Sequence, residues 1–567
     1  MRYLALVTDY DGTLAVQGKI ADEAVSALER LRLSGRKAIL VTGRMLDDLR
    51  AACPHLHLFD YVVAENGGVV HAPSTRETTV LGPPPLPAFV DRLRALGVEP
   101  LDVGDVILGT WTPHHVTVLQ VVQEMGLELL IGFNRAAVMV MPVGVNKSTG
   151  LEYALRKLGL SFHEAVGVGD AENDHSFLRR CECAVAVANA VDSIRTRAAF
   201  VTRQEAGRGV AELVDEIIAT DLVRMQGKLA QNRIVIASAF DGAPITVPPY
   251  GSSILVAGPS GSGKSTVTAG IVERLVEHAY QVCVVDPEGD YGTLQEVITV
   301  GSADHAVPVT EALSILEDPK VNLNVNLLGV PLADRPQYFA NLWSSIGMLR
   351  VRTGRPHWTV LDEAHHLLPI ESGWNALPSG LGETILVTVH PDHLPRRVLE
   401  MIDVVIAVGR FPERTLLRFA EAAGRSVDWQ PDAAYATGQI AVWFVRGADP
   451  PTLARSIPPA RDRIRHRRKY AEGDMRYRSF YFRGPGGRHN LRAQNLVIFS
   501  QIAEGIDEDT WLYHLHRGDY SRWFRHAVKD GYLADHAERV ENRRALSPDE
   551  SRALIRTLID ARYTLPE

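Results

Sequence analysis

The sequence predicts an α/β protein made of two successive domains, each built on a mainly parallel sheet, and a C-terminal helical module. Its 567 residues exceed a typical single domain roughly three- to fourfold, so more than one core is expected. Short apolar runs alternate with amphipathic helices both before and after residue 230, and this alternation is typical of parallel sheets. From residue 493 onward the apolar positions recur at helical spacing, which indicates helices without a sheet.

The composition is that of a folded protein without a disulfide framework. Apolar residues make up 46% and charged residues 23% of the chain, which excludes a disordered or repetitive protein. The 4 cysteines are too few to staple a chain of this length, and no apolar run reaches the roughly 20 residues that span a bilayer. The first acidic residue is Asp9, too early for a signal-peptide core. We therefore expect a cytoplasmic protein that does not enter a membrane.

The first predicted strand delivers two carboxylates at its end. The apolar run 3–8 is followed by Asp9 and Asp11 within the sequence DYDGTL. An amphipathic helix then leads to a second apolar strand, KAILV, which is followed by Thr42, Gly43 and Arg44. Strand, helix and strand in this order predict a parallel sheet.

Two later segments supply further polar groups to the same sheet edge. Lys147 stands at the start of a predicted helix, and the strand in EAVGVG ends in Asp170, Asn173 and Asp174. Because open α/β sheets bind ligands at the carboxyl ends of their strands, we expect these side chains to line one crevice. Carboxylates, a hydroxyl and a lysine together can bind a phosphate ester and a divalent cation.

The segments DYDGTL, VTGR, Lys147 and GDAEND, in this order, resemble the four motifs of the haloacid dehalogenase superfamily. The resemblance covers the first 220 residues and is to Cof-like, phosphoglycolate and sugar-phosphate phosphatases. It implies a Rossmann-like parallel sheet with a small α+β type II cap at about 82–143, which would select a small phosphorylated metabolite.

Residue chemistry and this resemblance predict the same roles. Asp9 is expected to attack phosphorus and form an aspartyl-phosphate, and Asp11 to protonate the leaving oxygen and then deprotonate water. Thr42 and Lys147 are expected to bind the phosphoryl oxygens. Mg²⁺ is expected on Asp9, the backbone carbonyl of Asp11, Asp170 and Asp174. The candidates for substrate contact are Gly43, Asn66 and Asn173, although loop asparagines are more often turn formers.

A nucleotide-binding loop begins where the apolar strand ILVAG ends. GPSGSGKST, residues 258–266, satisfies the pattern Gly-x-x-x-x-Gly-Lys-Ser and precedes a helix-compatible segment. Its glycines allow backbone N–H groups to surround phosphates, Lys264 reaches the β and γ oxygens, and Ser265 takes Mg²⁺. The ATP-binding candidates are Gly258, Gly261, Gly263, Lys264, Ser265 and Thr266.

Three further strands of this domain are expected to end in polar residues. VCVVDPEGDY ends in Asp286, Glu288 and Asp290. In VLDEAH, Asp362 is expected to support the metal and the catalytic Glu363 to polarise the attacking water. In ILVTVH, His390 is a candidate sensor of the γ-phosphate or of water.

These segments together resemble the HerA/FtsK branch of P-loop ATPases over residues 233–458. The resemblance implies ATP hydrolysis in a homo-oligomeric ring, most often a hexamer, in which an arginine of one subunit reaches the nucleotide of its neighbour. Arg410 is our candidate for that arginine, with Arg414, Arg418 and Arg425 as competitors. Zinc is not expected on His365, His366 and His390, because no cysteine cluster accompanies them.

The segment 461–492 is strongly basic and aromatic. It carries 11 Lys+Arg against 3 Asp+Glu, with tyrosines and phenylalanines interleaved. A single-stranded nucleic-acid platform needs this combination. The alternative is an arginine-rich helix and turn that pack against the ATPase domain, which is acidic, with 17 Lys+Arg against 24 Asp+Glu in residues 225–460. We favour this alternative. In the helical module that follows, Trp511, Leu515, Trp523 and Phe524 are expected to form the core.

The predicted organisation is a phosphatase domain at 1–220, a linker at 221–232, an ATPase domain at 233–458, the basic segment at 459–492 and a helical module at 493–567. Our main hypothesis is a phosphomonoester hydrolase that an ATPase regulates or assembles. A second hypothesis is an ATP-driven nucleic-acid machine with the phosphatase as its effector. A third is a nucleotide-gated scaffold.

Overall fold

A computed structural model describes residues 1–563 apart from 135, 224–232, 293, 295, 371–380, 428, 430–437, 448, 460–474, 476–478, 529 and 544–545. Most of the predicted linker and much of the basic segment, including Tyr470 and Tyr477, therefore lie outside the described residues. Within those limits, no helix combines the length and the apolarity that crossing a membrane requires.

The first domain is built on a mainly parallel sheet that has eight strands in the described part of the chain. In spatial order these are Phe200–Val201, Cys183–Ala186, Ala165–Gly169, Ala5–Asp9, Lys37–Val41, Tyr61–Ala64, Val69–Ala72 and Glu77–Val80. The strand Ala5–Asp9 is central, pairs in parallel with both neighbours and is buried throughout, which explains its continuous apolar run. The last two strands form an antiparallel edge hairpin that the sequence analysis did not predict.

Helices cover this sheet and bury their apolar faces against it. They are Asp22–Leu33, Leu46–Ala52, Lys147–Lys157, His175–Leu178, Asp192–Arg195 and Ala206–Thr220. The helix Asp22–Leu33 packs against Ala206–Thr220, so the last helix of this domain lies beside its first.

The segment predicted as a cap forms a small layer of its own. Its antiparallel strands are, in spatial order, Leu129–Asn134, Ala137–Pro142, Leu108–Trp111 and Asp102–Val103, and its helices are Pro87–Ala95 and His115–Glu124. A separate core, which includes Phe89, Leu93, Val118 and Val121, holds helices and strands together. The cap is thus a compact unit set on the phosphatase sheet.

The second domain has an eleven-stranded sheet among the residues that the structure describes. Its parallel part runs Val404–Val408, Ser253–Ala257, Thr384–Thr388, Trp358–Leu361, Val282–Asp286, Asn322–Asn326 and Val297–Val300. An antiparallel extension continues from Val404–Val408 with Gln439–Phe444, Thr452–Arg455, Ile234–Ser238 and Pro244–Val247. The flanking helices are Lys264–Glu277, Val309–Leu316, Arg335–Thr353, Ala364–Leu367, Arg396–Leu399 and Pro412–Ala422.

The C-terminal module contains a short hairpin in addition to its helices. The hairpin pairs Phe480–Phe482 with Leu491–Ala493, and the helices are Leu496–Gly505, Glu508–His516, Asp519–Trp523, Gly531–Glu541 and Pro548–Tyr563. Phe480 and Phe482 are buried in the same core as the four residues predicted to form it. These two rings therefore cannot serve as exposed stacking surfaces for bases, and the hairpin belongs to the helical module.

A buried ion cluster joins the phosphatase domain to the ATPase domain. Glu164 accepts a 2.5 Å hydrogen bond from His357 Nε2, and its carboxylate lies 3.8 Å from Arg355 Nε. The Nδ1 atom of His357 accepts from the backbone N–H of Gln281, which requires the neutral ring. Burial lowers the pKa of His357 accordingly; for Glu164, burial opposes the change, but His357 and Arg355 lower the pKa below its ordinary value.

A second polar cluster lies beside the first at the same interface. Glu182 of the phosphatase domain receives hydrogen bonds from Arg2, His163 and Tyr280, at 2.8, 2.7 and 3.1 Å. The ring of His163 stacks on Tyr280 of the ATPase domain with centroids 3.9 Å apart. The two domains are therefore attached through buried charges with specific partners.

We expect Glu164→Ala to destabilise the contact between the domains by about 3 kcal/mol, because it leaves Arg355 buried without its carboxylate. Urea unfolding followed by tryptophan fluorescence measures the effect. The matched control is Glu317→Ala, which removes a solvent-exposed pair with Arg352 and should change stability by less than about 1 kcal/mol. Equal unfolding midpoints for the two variants would contradict the prediction.

Candidate active sites

The nucleophile candidate Asp9 ends the central strand and lies in a buried carboxylate cluster. Lys147 Nζ donates to Asp9 Oδ1 at 2.6 Å and to Asp174 Oδ1 at 2.7 Å. Carboxylate oxygens of Asp9, Asp170 and Asp174 lie within 4.8 Å of one another. Lys147 is held in place because Asn146 caps the helix that begins there, accepting from two backbone N–H groups of its first turn. The structure thus brings four of the predicted residues together.

Burial makes the charge balance of this cluster decisive. Burial and the Asp174 carboxylate raise the pKa of Asp9 well above its ordinary value, against the opposing effect of Lys147. Burial alone would lower the pKa of Lys147, but Asp174 and Asp9 raise it above its ordinary value. With its carboxylates ionised, the cluster has more negative charge than one lysine can compensate. A divalent cation would balance this excess of negative charge, and the all-oxygen donor set suits Mg²⁺.

The Asp170 carboxylate is fastened by the loop that follows the nucleophile strand. Thr13 Oγ1 donates to Asp170 Oδ1 at 2.7 Å. Gly12 has φ +85°, and a Cβ there would lie 2.3 Å from Asp170 Oδ2, so only glycine fits. Asn189 Nδ2 donates to the carbonyl oxygen of Gly12 at 2.7 Å. The sequence analysis assigned no role to Thr13 or Asn189; Thr13 lies within DYDGTL, whereas Asn189 carries no motif signal.

The acid–base candidate Asp11 is paired with Arg44, a residue at the neighbouring strand end that received no role from the sequence. Arg44 Nε and Nη2 donate to the two carboxylate oxygens of Asp11 at 2.6 and 2.8 Å. Arg44 Nη1 also donates to Asp48 at 2.7 Å, so the guanidinium is anchored on both sides. The signal was present, since Arg44 ends the VTGR motif. Its effect is to hold the Asp11 side chain in one orientation.

Thr42 lies at the end of the neighbouring strand and organises the turn behind it. Its Oγ1 accepts from the backbone N–H of Arg44 at 3.1 Å, and its carbonyl accepts from the backbone N–H of Asn66 at 3.0 Å. Asn66 has φ +51° within the tight turn that follows the strand Tyr61–Ala64. The predicted phosphoryl ligand and a predicted substrate residue are therefore tied together through the backbone.

The cap strand Ala137–Pro142 covers the predicted substrate residues. A Cβ on Gly43 would lie 3.2 Å from Met139 Sδ, and Asn66 Nδ2 lies 3.3 Å from Met141 Sδ. Asn66 Oδ1 and both polar side-chain atoms of Asn173 are buried without a hydrogen-bond partner in the described structure. Polar atoms buried under an apolar cap strand are suited to a polar ligand.

The nucleotide-binding loop has the backbone that its glycines predict. Gly258, Gly261 and Gly263 all have positive φ, at 156°, 75° and 102°. A Cβ at Gly258 would lie 2.1 Å from the carbonyl oxygen of Val408 on the neighbouring strand. The helix Lys264–Glu277 starts directly after the loop and includes Ser265 and Thr266 in its first turn. Its N-terminus therefore faces the space that the loop encloses.

The carboxylates predicted for ATP hydrolysis follow a strand two places away. Asp362 is buried after the strand Trp358–Leu361, and Tyr291 OH donates to its Oδ1 at 3.4 Å. Glu363 has φ +43°, a left-handed conformation that is strained for a glutamate and typical of functional sites. His365 Nδ1 lies 3.5 Å from Glu363 Oε2.

The sensor strand between these elements ends in Thr388. His365 Nδ1 and Thr388 Oγ1 are 3.0 Å apart, and the backbone N–H of His390 donates to the same Oγ1 at 3.0 Å. Burial, the histidines around it and Lys264 lower the pKa of His365 to about 4, so its ring is neutral at neutral pH. His390 therefore contacts Thr388 through its backbone, and its ring centroid lies 5.7 Å from that of His365.

Two other predicted groups occupy different positions. Asp286 accepts from the backbone N–H groups of Asp290 and Tyr291 at 2.9 and 2.7 Å, so it shapes the DPEGDY loop. Arg410 is exposed and follows Gly409. A Cβ built on Gly409 would lie 3.2 Å from the ring of Pro259 in the nucleotide-binding loop. Arg410 therefore lies beside the nucleotide-binding loop of its own chain.

Comparison with known proteins finds matches for two parts of the chain. Residues 6–81 and 123–214 match the family model of haloacid dehalogenase-like hydrolases, and residues 243–331 match the central domain of the helicase HerA. Phosphoglycolate phosphatase of Methanothermobacter thermautotrophicus is 32% identical over 219 residues, which are 37% of this chain and 96% of that protein. The enzyme of the same name from Archaeoglobus fulgidus is 32% identical over 218 residues, covering 37% and 94%.

Among solved structures, a haloacid dehalogenase-like hydrolase from Bacteroides thetaiotaomicron matches with a TM-score of 0.35 and 18% identity, over 38% of this chain and 99% of that one. The family model and the two phosphoglycolate phosphatases establish that the chain belongs to the haloacid dehalogenase-like hydrolases. It joins such a phosphatase domain to a HerA-like domain of the P-loop ATPase type in one polypeptide.

Proposed function

We propose that the first domain hydrolyses a small phosphorylated acid or sugar phosphate through an aspartyl-phosphate on Asp9, with Mg²⁺. The observation that carries the proposal is the buried contact of Lys147 with both Asp9 and Asp174, next to Asp170. The phosphoglycolate phosphatases that match this domain support a substrate of that class. Asn66 and Asn173 under the cap are our candidates for binding its non-reacting part.

In this mechanism an Asp9 carboxylate oxygen attacks phosphorus while a protonated Asp11 gives its proton to the leaving oxygen. Asp11 then accepts a proton from the water that hydrolyses the aspartyl-phosphate. In the structure both Asp11 oxygens accept from Arg44, so Asp11 must leave this pair to donate the proton and can return to it once ionised. Lys147 and Thr42 stabilise the negative phosphoryl oxygens. Mg²⁺ on Asp9, Asp170, Asp174 and the Asp11 carbonyl would neutralise phosphate charge that one lysine cannot.

We expect Asp9→Asn to lower phosphatase turnover at least ~10³-fold, because an amide cannot replace the anionic nucleophile. Phosphate release from phosphoglycolate and from a panel of sugar phosphates measures the loss. The matched control is Asp47→Asn, which alters an exposed carboxylate paired with Arg50 and should leave turnover unchanged. Turnover of Asp9→Asn near that of the control would rule out Asp9 as the nucleophile.

We further propose that the second domain hydrolyses ATP, with Mg²⁺ bound through Ser265 and Asp362. The arrangement that supports this is the common edge of neighbouring parallel strands, which end in the nucleotide-binding loop, Thr388 and Asp362. Glu363 follows Asp362 and is our candidate for orienting the attacking water. ATP turnover would then regulate or assemble the phosphatase.

Two substitutions separate the two activities. Lys264→Ala should abolish ATP binding, because the loop loses the cation that contacts the β and γ phosphates, whereas Glu363→Gln should retain binding and lose hydrolysis. Both variants should keep their phosphatase activity on a small chromogenic ester. Nucleotide binding, ATP turnover and ester hydrolysis are measured on the same preparations. A joint loss of both activities in Glu363→Gln would show that the phosphatase depends on ATP turnover.

We also propose that the protein forms a homo-oligomeric ring, with a hexamer favoured, in which Arg410 of one subunit acts on the ATP of the next. Arg410 is exposed at the strand end beside the nucleotide-binding loop, so it can act either within its chain or across a subunit boundary. The nucleic-acid alternative loses two of its candidate stacking rings, because Phe480 and Phe482 are core residues, whereas Tyr481 is half-buried.

A mixing experiment distinguishes action within the chain from action across the boundary. Arg410→Ala and Lys264→Ala should each abolish most ATP turnover when assayed alone. If Arg410 acts across the boundary, mixed rings regain activity, because an intact nucleotide loop then meets an intact arginine from the neighbour. Light scattering establishes the assembly in each mixture. Mixtures as inactive as the separate variants, in preparations that do assemble, would place Arg410 in its own subunit's site.

A further inference from the structure

A cluster of two histidines and one aspartate lies just beyond the sensor strand. It includes the candidate sensor His390 together with Asp392 and His393, which have no part in the proposed ATP hydrolysis. Ligand atoms of His390, Asp392 and His393 lie within 4.8 Å of one another. The rings of His390 and His393 are nearly parallel, with centroids 4.5 Å apart. Asp392 and His393 are exposed, so an ion can reach them from solvent.

The local backbone explains why these side chains converge. Pro391–His393 is a single 3₁₀ turn directly after the sensor strand, closed by a hydrogen bond from His393 N–H to the carbonyl oxygen of His390. In a 3₁₀ turn the side chains of residues three apart lie one above the other. The sequence HPDH therefore places both imidazoles on one side of the turn, with the carboxylate between them along the chain.

A third imidazole approaches from a different element. His365, on the short helix Ala364–Leu367, has its ring centroid 5.7 Å from that of His390 and 6.4 Å from that of His393. The cluster thus connects the end of the sensor strand with the helix that follows Glu363. Such a connection between two elements is what a bound ion can strengthen.

We propose that His390, Asp392 and His393 form a binding site for a divalent transition metal such as Zn²⁺. Two imidazoles and a carboxylate are a ligand set for zinc and its neighbours, with one position left for water. Mg²⁺ prefers oxygen ligands, so this site is chemically distinct from the Mg²⁺ positions of the phosphatase and of the ATP site. Zinc is not expected from the sequence on His365, His366 and His390 because they lack a cysteine cluster. Asp392 and His393 were not among the ligands considered there.

The site is connected to ATP hydrolysis through Thr388. The backbone N–H of His390 donates to Thr388 Oγ1, which also contacts His365 Nδ1, and His365 lies 3.5 Å from the Glu363 carboxylate. A metal on His390 and His393 would fix the turn whose backbone N–H contacts Thr388, and through Thr388 and His365 it would restrain the position of Glu363. We infer that the metal slows ATP hydrolysis; this part rests on the proposed ATPase function, whereas metal binding does not.

Metal binding is tested on the full chain after treatment with a chelator, in excess Mg²⁺ to occupy the oxygen-ligand sites and without nucleotide. Zn²⁺ is titrated by calorimetry, and Co²⁺ is titrated by its visible absorption, which reports nitrogen ligands and coordination geometry. We expect one such site per chain, with affinity at least about tenfold lower in both His393→Ala and Asp392→Asn. His516→Ala, which removes an exposed histidine of the C-terminal module, is the control and should bind as the wild type does.

Unchanged zinc affinity in both His393→Ala and Asp392→Asn would overturn the site. Weaker ATP binding with unchanged zinc binding would also overturn it, since the residues would then contact the nucleotide itself. The connection to hydrolysis is read separately: Zn²⁺ should lower ATP turnover in the wild type and have little effect in His393→Ala. Equal inhibition of both would refute the regulatory inference even where the metal binds.

Discussion

Both active sites depend on one constraint of parallel sheets, which is that adjacent strands end at the same edge. In the phosphatase domain this edge receives Asp9, Thr42 and Asp170 from neighbouring strands. In the ATPase domain it receives the nucleotide-binding loop and Asp362 on either side of the sensor strand. Residues far apart in the chain thus meet without long loops, because burial on both faces fixes the register of the strands.

The compensation of buried charge is the second constraint. It acts both at the candidate phosphatase site and at the interface between the domains. At the candidate phosphatase site, the carboxylates of Asp9, Asp170 and Asp174 surround the single cation of Lys147, an arrangement that fits a further cation. At the domain interface, the Glu164 carboxylate is instead paired with the Arg355 guanidinium and accepts a hydrogen bond from the neutral ring of His357. Burying a carboxylate is costly in both places, and the partners differ: a lysine and a candidate cation at the first, an arginine at the second.

Two residues of the domain interface also directly precede strands that lead to the two candidate sites. Glu164 directly precedes the strand Ala165–Gly169, whose other end leads to the candidate metal ligand Asp170. His357 directly precedes the strand Trp358–Leu361, whose other end leads to Asp362. One hydrogen bond between the domains therefore joins the starts of two short strands whose other ends lead to candidate metal ligands.

The sequence determined the class of each domain and the identity of most candidate residues, because motif spacing and strand-end position depend on local chemistry. It also carried the signals of Arg44 and Thr13 within recognised motifs, although their partners could not be read from it. Only the tertiary structure decided that Asn189 supports the nucleophile loop, that Phe480 and Phe482 are core residues, and that His365 approaches the HPDH turn. These are contacts between distant segments, and packing of the whole chain, not local spacing, determines which segments meet.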